Sequence, residues 1–216
     1  MPKLQVIVGT TRPIRAADRV VPWVVERAKA HGVFEVQVLD LRDWRLPFFQ
    51  EHRGTIGDFS NPTYSDPVVR GWNHKVAEGD AFLIVSAEYN HSVPGELKNA
   101  IDSVWISFGF RNKPIGFVGY SGGIAGGARV VEHLALIAVE GEAVPLRSSV
   151  LIPFVTDAFD EADKPKNPVT DIALGITLDD LAWFSNALGR ARAEGELVPG
   201  AFRLQSALEA SRSHPA

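Results

Sequence analysis

Short apolar runs alternate with segments of helical spacing along this chain, and that alternation leaves few architectures open. Apolar residues dominate positions 4–8, 34–41, 81–86, 113–120 and 143–152, which read as five strands. Between them, Val20, Val21, Val24, Val25 and Ala28 share one face of a helix predicted over 16–30. Val131, Leu134, Ala135 and Ala138 do the same over 128–139. Further helices are predicted over 66–78, with Asp66 as cap and Pro67 at the first position, over 94–105 and over 179–194.

Strands that alternate with helices imply βαβ units, a mostly parallel sheet and right-handed crossovers. The expectation is an α/β fold, a flavodoxin-like three-layer sandwich with a five-stranded parallel sheet in the order 2-1-3-4-5. Ligands of such sheets bind beyond the carboxyl ends of the strands. Two stretches without a period, 43–67 and 153–171, are expected as loops. Residues 1–200 read as one domain and 201–216 as a tail, loose or docked on a partner.

Composition narrows the function. The 216 residues are 45% hydrophobic and 22% charged, enough for an ordinary core. A formal net charge of -4 argues against nucleic acid or an anionic membrane as the main partner. The chain has no cysteine, which excludes disulfides, thiolate nucleophiles and cysteine-based metal sites. The apolar run in MPKLQVIVG is short for a signal peptide and no run is long enough to span a membrane, so the expectation is a soluble cytoplasmic protein.

Three loops that follow strands carry the chemistry-bearing residues. The first is Gly9-Thr10-Thr11-Arg12-Pro13-Ile14-Arg15. Free backbone N–H groups before a helix favour an anion, Thr10 and Thr11 add hydroxyls, and Arg12 and Arg15 add charge-assisted donors. The loop is neither a Walker loop nor GxGxxG, and a solvated turn with surface arginines fits it as well. The second holds Glu88, Tyr89, Asn90, His91 and Ser92 and closes on Val93-Pro94-Gly95. A lone loop histidine without a neighbouring ligand is ordinarily just polar, so His91 receives no metal role. Lys98, Asn99 and Asp102 are as readily structural as functional. The third is Tyr120-Ser121-Gly122-Gly123-Ile124-Ala125-Gly126-Gly127, where bare glycine backbone allows close approach of a planar ring.

Together these segments resemble the NADPH-dependent FMN reductases of the flavodoxin-like superfamily, a group that includes quinone, azo-dye and chromate reductases. Gly9-Thr-Thr-Arg-Pro13 looks like the family's GS/TTRP phosphate loop. EYNHSVPG at 88–95 and LKNAID at 97–102 are similar to its PEYNHSIPG-x-LKNAID signature. Lys113-Pro114, Tyr120-Ser-Gly-Gly123 and Gly126-Gly-Ala-Arg129 resemble its KP…SYGG…GGAR segment. The resemblance covers about residues 3–155. Ala87 stands where the family usually has proline, and Ile14 and Ala17 where it often has a small or hydroxyl residue.

The resemblance implies an FMN cofactor with NADPH or NADH as co-substrate. Thr10, Thr11, Arg12 and Arg15 would hold the phosphate. Glu88, Tyr89 and Asn90 would line the isoalloxazine, with Tyr120, Ser121, Gly122 and Gly123 along its other edge. It implies ping-pong transfer from NAD(P)H through FMN to a small-molecule electron acceptor: a quinone, free flavin, azo compound or metal ion. The chemistry belongs to the ring, so no catalytic acid or base is assigned. The family's habit implies a homodimer or homotetramer. The aromatic residues of 43–67 and 105–111 are expected to line the acceptor side or a subunit contact, or else to be core. The competing expectation is a non-catalytic flavodoxin-like protein that binds FMN or another phosphate ligand.

Overall fold

The computed structural model describes residues 1–58, 61–104 and 106–213, so Trp105 of the aromatic stretch lies outside the described residues. Five strands form one parallel sheet: β1 (Lys3–Val8), β2 (Glu35–Asp40), β5 (Ala81–Ala87), β6 (Pro114–Tyr120) and β7 (Val144–Ile152), in the spatial order β2-β1-β5-β6-β7. In order of appearance within the sheet this is 2-1-3-4-5. A two-stranded antiparallel pair, β3 (Gly57–Asp58) and β4 (Asn61–Pro62), sits inside the long loop.

Burial along each strand follows its place in the sheet. Every residue of β5 and β6 is buried, because helices cover both faces of a central parallel strand. Edge strand β2 carries exposed Glu35 and Val38, and edge strand β7 exposes Arg147 and Leu151. Successive side chains of β1 point to opposite faces. Leu4, Val6 and Val8 enter one core with Val20, Trp23 and Val24 of α1 (Ala17–Ala30) and Leu174, Leu178 and Leu181 of α5 (Pro168–Glu194). Ile7 enters the other, with Trp72 of α2 (Pro67–Ala77), Leu97 of α3 (Gly95–Asp102) and Leu134 of α4 (Ala128–Glu140). Asp66 caps α2 as expected, accepting from the N–H groups of Val68 and Val69.

One expectation is corrected. Helix α5 starts at Pro168, eleven residues before 179, where the Asn167 carboxamide accepts from Val169 N at 3.0 Å. Its inner face holds Leu174, Leu178 and Leu181, while Val169, Ile172, Ile176 and Trp183 stay exposed on the outer face. Apolar residues on two faces blur the helical period. Within the tail, α6 (Gly200–Ser213) places Phe202 edge-on to Phe108 at 5.6 Å. Phe110 of the aromatic stretch is core and meets Phe82 at 4.8 Å, whereas Phe108 is half-buried.

The strand order reverses between β1 and β5, whose following connections depart to opposite sides. The loops after β1, β5 and β6 therefore meet at the carboxyl edge of the sheet, where such folds open a crevice.

Candidate active site

The loop after β1 is shaped by what holds its carbonyl oxygens. Arg15 donates to the carbonyl of Thr10 and pairs with Asp40 at the end of β2 and with Asp18 at 2.9 Å. Its side chain is only 5% exposed, so it is committed inward rather than to an outside anion. Arg42 donates to the carbonyls of Arg12, at 2.5 Å, and Pro13, at 3.1 Å, and also pairs with Asp18. Two guanidinium groups thus draw three carbonyls to one side of the loop. Burial alone would raise the Asp40 carboxyl, but the hydrogen bonds from Arg15 and from the Arg42 backbone outweigh it and hold that carboxyl below its ordinary range.

What remains on the loop is a set of donors. Thr10 is fully buried, and the buried Tyr120 hydroxyl lies beside its own, with burial pushing the phenol up to about 12. The two hydroxyls have no polar partner but each other, which leaves hydrogen-bonding capacity that a further group would complete. Thr11 donates its N–H, at 3.2 Å, and its hydroxyl, at 3.4 Å, to Glu96 of α3. Arg12 is exposed, with its guanidinium carbon 5.7 Å from the centre of the Tyr89 ring. Gly9 lets α3 approach, since a Cβ there would lie 2.7 Å from Leu97 Cδ2.

The loop after β5 is a tight reversal. Tyr89 and Ser92 exchange backbone hydrogen bonds at 3.0 Å, with Asn90 (φ 47°) and His91 (φ 73°) between them. Both central residues are left-handed, as a type I′ turn requires, and Asn and His tolerate that region better than most. Asn90 therefore shapes the turn. The Glu88 side chain is 4% exposed; its carboxylate accepts the Arg129 backbone N–H at 3.2 Å and pairs with the Arg129 guanidinium at 2.5 Å. It ties the strand end to the start of α4. Arg129 continues to His91 Nδ1 at 3.0 Å, and Ser92 meets His133 at 2.8 Å.

The loop after β6 presents bare backbone. Gly122 and Gly123 are exposed, and a Cβ added to either would meet nothing within 4 Å. Ser121 turns its hydroxyl to Gly123 O at 3.0 Å. Gly127 (φ 86°) is needed for packing, since a Cβ there would lie 2.3 Å from Tyr120 N. Beside the first loop, a cleft of about 340 Å³ is lined by Thr11, Arg42, Trp44, Arg45, Glu96 and Asn99. Asn99 positions the long loop, donating to Pro47 O at 2.9 Å and accepting from Phe49 N at 2.8 Å. Among the described residues no group of three or more His, Cys, Asp or Glu is placed to hold a metal.

Residues 2–157 match the family model for NADPH-dependent FMN reductase, well over half of the chain. The chain belongs to that family. It is 33% identical over 136 residues to an NAD(P)H-dependent FMN reductase of Schizosaccharomyces pombe, covering 62% of this chain and 66% of that protein. It is 37% identical over 99 residues to an NAD(P)H-dependent FMN reductase of Pseudomonas aeruginosa, covering 44% of this chain and 52% of that one. The chain thus spans from about half to just under two thirds of these two relatives. The solved structure of FerB, a flavoenzyme NAD(P)H:(acceptor) oxidoreductase from Paracoccus denitrificans, superposes with a TM-score of 0.70 at 20% identity, over 87% of this chain and 98% of that one. That likeness concerns the fold.

The residues of this FMN reductase family member fit the family's flavin. Thr10 and Tyr120 offer two buried hydroxyls with no polar partner but each other, Arg12 offers an outward cation, and Gly122 and Gly123 leave open space for a ring. Arg15 and Glu88 face other protein groups. Three residues that the sequence reading did not assign enter the site. Arg129 stands in the quoted GGAR segment and Glu96 in the first turn of α3, whereas nothing around Arg42 in the sequence marks it.

Proposed function

We propose that this protein is an FMN-dependent reductase that takes electrons from NAD(P)H and delivers them to a small organic acceptor, a quinone or a free flavin. The observation that carries the reading is a loop whose carbonyls are drawn aside by Arg15 and Arg42, over the buried hydroxyls of Thr10 and Tyr120, which have no polar partner but each other. Bound FMN supplies the redox chemistry, receiving reducing equivalents from a reduced nicotinamide and passing them on. The chain supplies position. Thr10, Thr11 and Arg12 hold the phosphate, with Arg15 and Arg42 setting the loop that offers these donors. Tyr89 forms one wall of the ring site, and Ser121, Gly122 and Gly123 offer backbone along the ring edge. Asn90, through its left-handed φ, and Glu88, through Arg129, fix where Tyr89 stands.

The relatives' names support the acceptor class. Proteins named NAD(P)H:quinone oxidoreductase, from Solanum tuberosum, and 2-hydroxy-1,4-benzoquinone reductase, from Burkholderia, are 42% and 40% identical over 85 and 70 residues. Trp44 and Leu46 of the long loop line the cleft beside the phosphate loop and offer an apolar surface to such an acceptor. The exposed Val169, Ile172, Ile176 and Trp183 on α5 are spaced to pack against another helix, which supports a homo-oligomer. The deciding experiment titrates the purified protein with FMN and then follows NADPH and NADH oxidation with a benzoquinone. Flavin binding followed by turnover is expected. Flavin binding with no turnover for any quinone or flavin acceptor leaves a flavin-binding protein and rejects the enzyme reading.

A further inference from the structure

The loop that would receive a phosphate already touches a negative charge from the chain itself. Glu96 Oε1 accepts from the Thr11 backbone N–H at 3.2 Å and from the Thr11 hydroxyl at 3.4 Å. Thr11 is exposed and Glu96 partly so, and both line the cleft of about 340 Å³ beside the loop. The contact spans 85 residues of sequence and is fixed on both sides. On one side, Arg15 and Arg42 hold the loop carbonyls. On the other, Leu97, the next residue of α3, packs against Gly9, where a Cβ would lie 2.7 Å from Leu97 Cδ2. The carboxylate is therefore delivered to the loop by helix packing. Among the described residues Glu96 has no cation partner that would neutralise it, and the outward cation of the loop, Arg12, is placed toward Tyr89 instead.

We infer that Glu96 is a specificity-determining residue that competes with the flavin phosphate for the Thr11 donors. The inference rests on the FMN reading above. A phosphate monoester carries between one and two negative charges at neutral pH, so it can take these donors only by displacing the carboxylate or by enduring its repulsion. Either way the phosphate loses part of the gain it would have from an empty loop, while the ring and ribityl contacts are untouched. The protein consequently discriminates less between FMN and riboflavin than a loop without Glu96 would.

The test compares the affinities of the full chain for FMN and for riboflavin, read by quenching of flavin fluorescence, in the native protein and in Glu96→Gln. Glutamine keeps an acceptor for Thr11 and removes the charge. The expected result is FMN binding about tenfold tighter in the variant, with riboflavin affinity unchanged. Inorganic phosphate alone should raise the melting temperature of the variant at lower concentration than that of the native protein. Glu96→Asp, which keeps the charge but withdraws it by one methylene, should lie between the two, and it carries the test if the glutamine variant does not fold. FMN affinity that is unchanged or weaker in Glu96→Gln overturns the inference. So does equal tightening of FMN and riboflavin, because the phosphate would not be what Glu96 opposes. A native protein that binds neither flavin overturns the FMN reading itself, an outcome distinct from the other two.

Discussion

Glu88 and Arg129 form a nearly closed ion pair across two loops of the site: the Glu88 carboxylate accepts from the Arg129 guanidinium at 2.5 Å and from its backbone N–H at 3.2 Å. The carboxylate is 4% exposed and the guanidinium side chain 40%, so the burden of burial falls on the acid. Arg129→Ala leaves that carboxylate facing only one backbone donor. Because the arginine is partly solvated, the expected loss of stability is about 1–3 kcal/mol, less than for a fully buried pair. Urea denaturation would measure it. Loss below about 0.5 kcal/mol would show that the backbone contact suffices.

Arg12 and Arg15 should behave differently although both stand in the same loop. Arg12→Ala is expected to weaken FMN by about 1.5–3 kcal/mol, the range of a hydrogen bond to a charged group, and to leave riboflavin affinity and stability nearly unchanged. Arg15→Ala removes the partner of Asp40 and the clamp on Thr10 O, so it should lower stability as well as flavin affinity. Thermal unfolding and flavin titration of both variants would separate the roles.

Tyr120→Phe removes a buried hydroxyl whose one polar neighbour is the Thr10 hydroxyl. Without flavin the variant should be as stable as the native protein or more stable by about 1 kcal/mol. With FMN the order reverses, since the native hydroxyl then gains a partner. Melting curves with and without saturating FMN would show the crossing. A variant less stable under both conditions would mean that the hydroxyl is already satisfied.

Lys113 gives a pH signature. Burial lowers its ammonium to about 8 in the folded chain, against 10.5 for the ordinary side chain. Between these values the unfolded chain binds more protons than the folded one, so stability rises with pH from about 8 to 10.5. Tyr120 acts oppositely: its folded value of about 12 lies above the ordinary 10, so stability falls as pH climbs from 10 toward 12. Denaturant midpoints at a series of pH values should therefore rise above pH 8 and turn over near 10. In Lys113→Met the rise should vanish while the alkaline fall remains.

The depressed carboxyls around the phosphate loop predict the acid limb. Asp40 and Asp18 both sit below the ordinary 3.8 in the folded chain, each against the opposing effect of burial, because Arg15 and Arg42 bond to them. Their contribution is complete above that value and is lost as pH falls through the lower folded values. Asp40→Asn should be less stable than the native chain at pH 7 and should show a shallower loss on acidification, which chemical denaturation across that range would measure.

The sheet and the three loops are specified by neighbouring residues alone. Strand spacing of two, helix spacing near four and punctuation by Gly, Pro and Asp are properties of neighbouring residues, so β1, β5, β6 and the Asp66-capped α2 are all legible in the sequence. So is the convergence of the loops after β1, β5 and β6, because a parallel sheet with right-handed crossovers sends them to one edge. Helix α5 was legible only in its second half, since apolar residues on its outer face hide the period.

Which side chains remain free for a ligand was decided only in three dimensions. Arg15 looked like a phosphate donor until Asp40, 25 residues on, took it, and Glu88 looked like a ring neighbour until Arg129, 41 residues on, did the same. Glu96 reaches Thr11 across 85 residues. Charges choose partners by distance in space, which spacing along the chain does not encode. The tertiary structure thus commits Arg15, and Arg42 from outside the motif, to the loop's own carbonyls and carboxylates and leaves Arg12 facing outward, because a guanidinium serves a ligand only when the fold leaves it unspent.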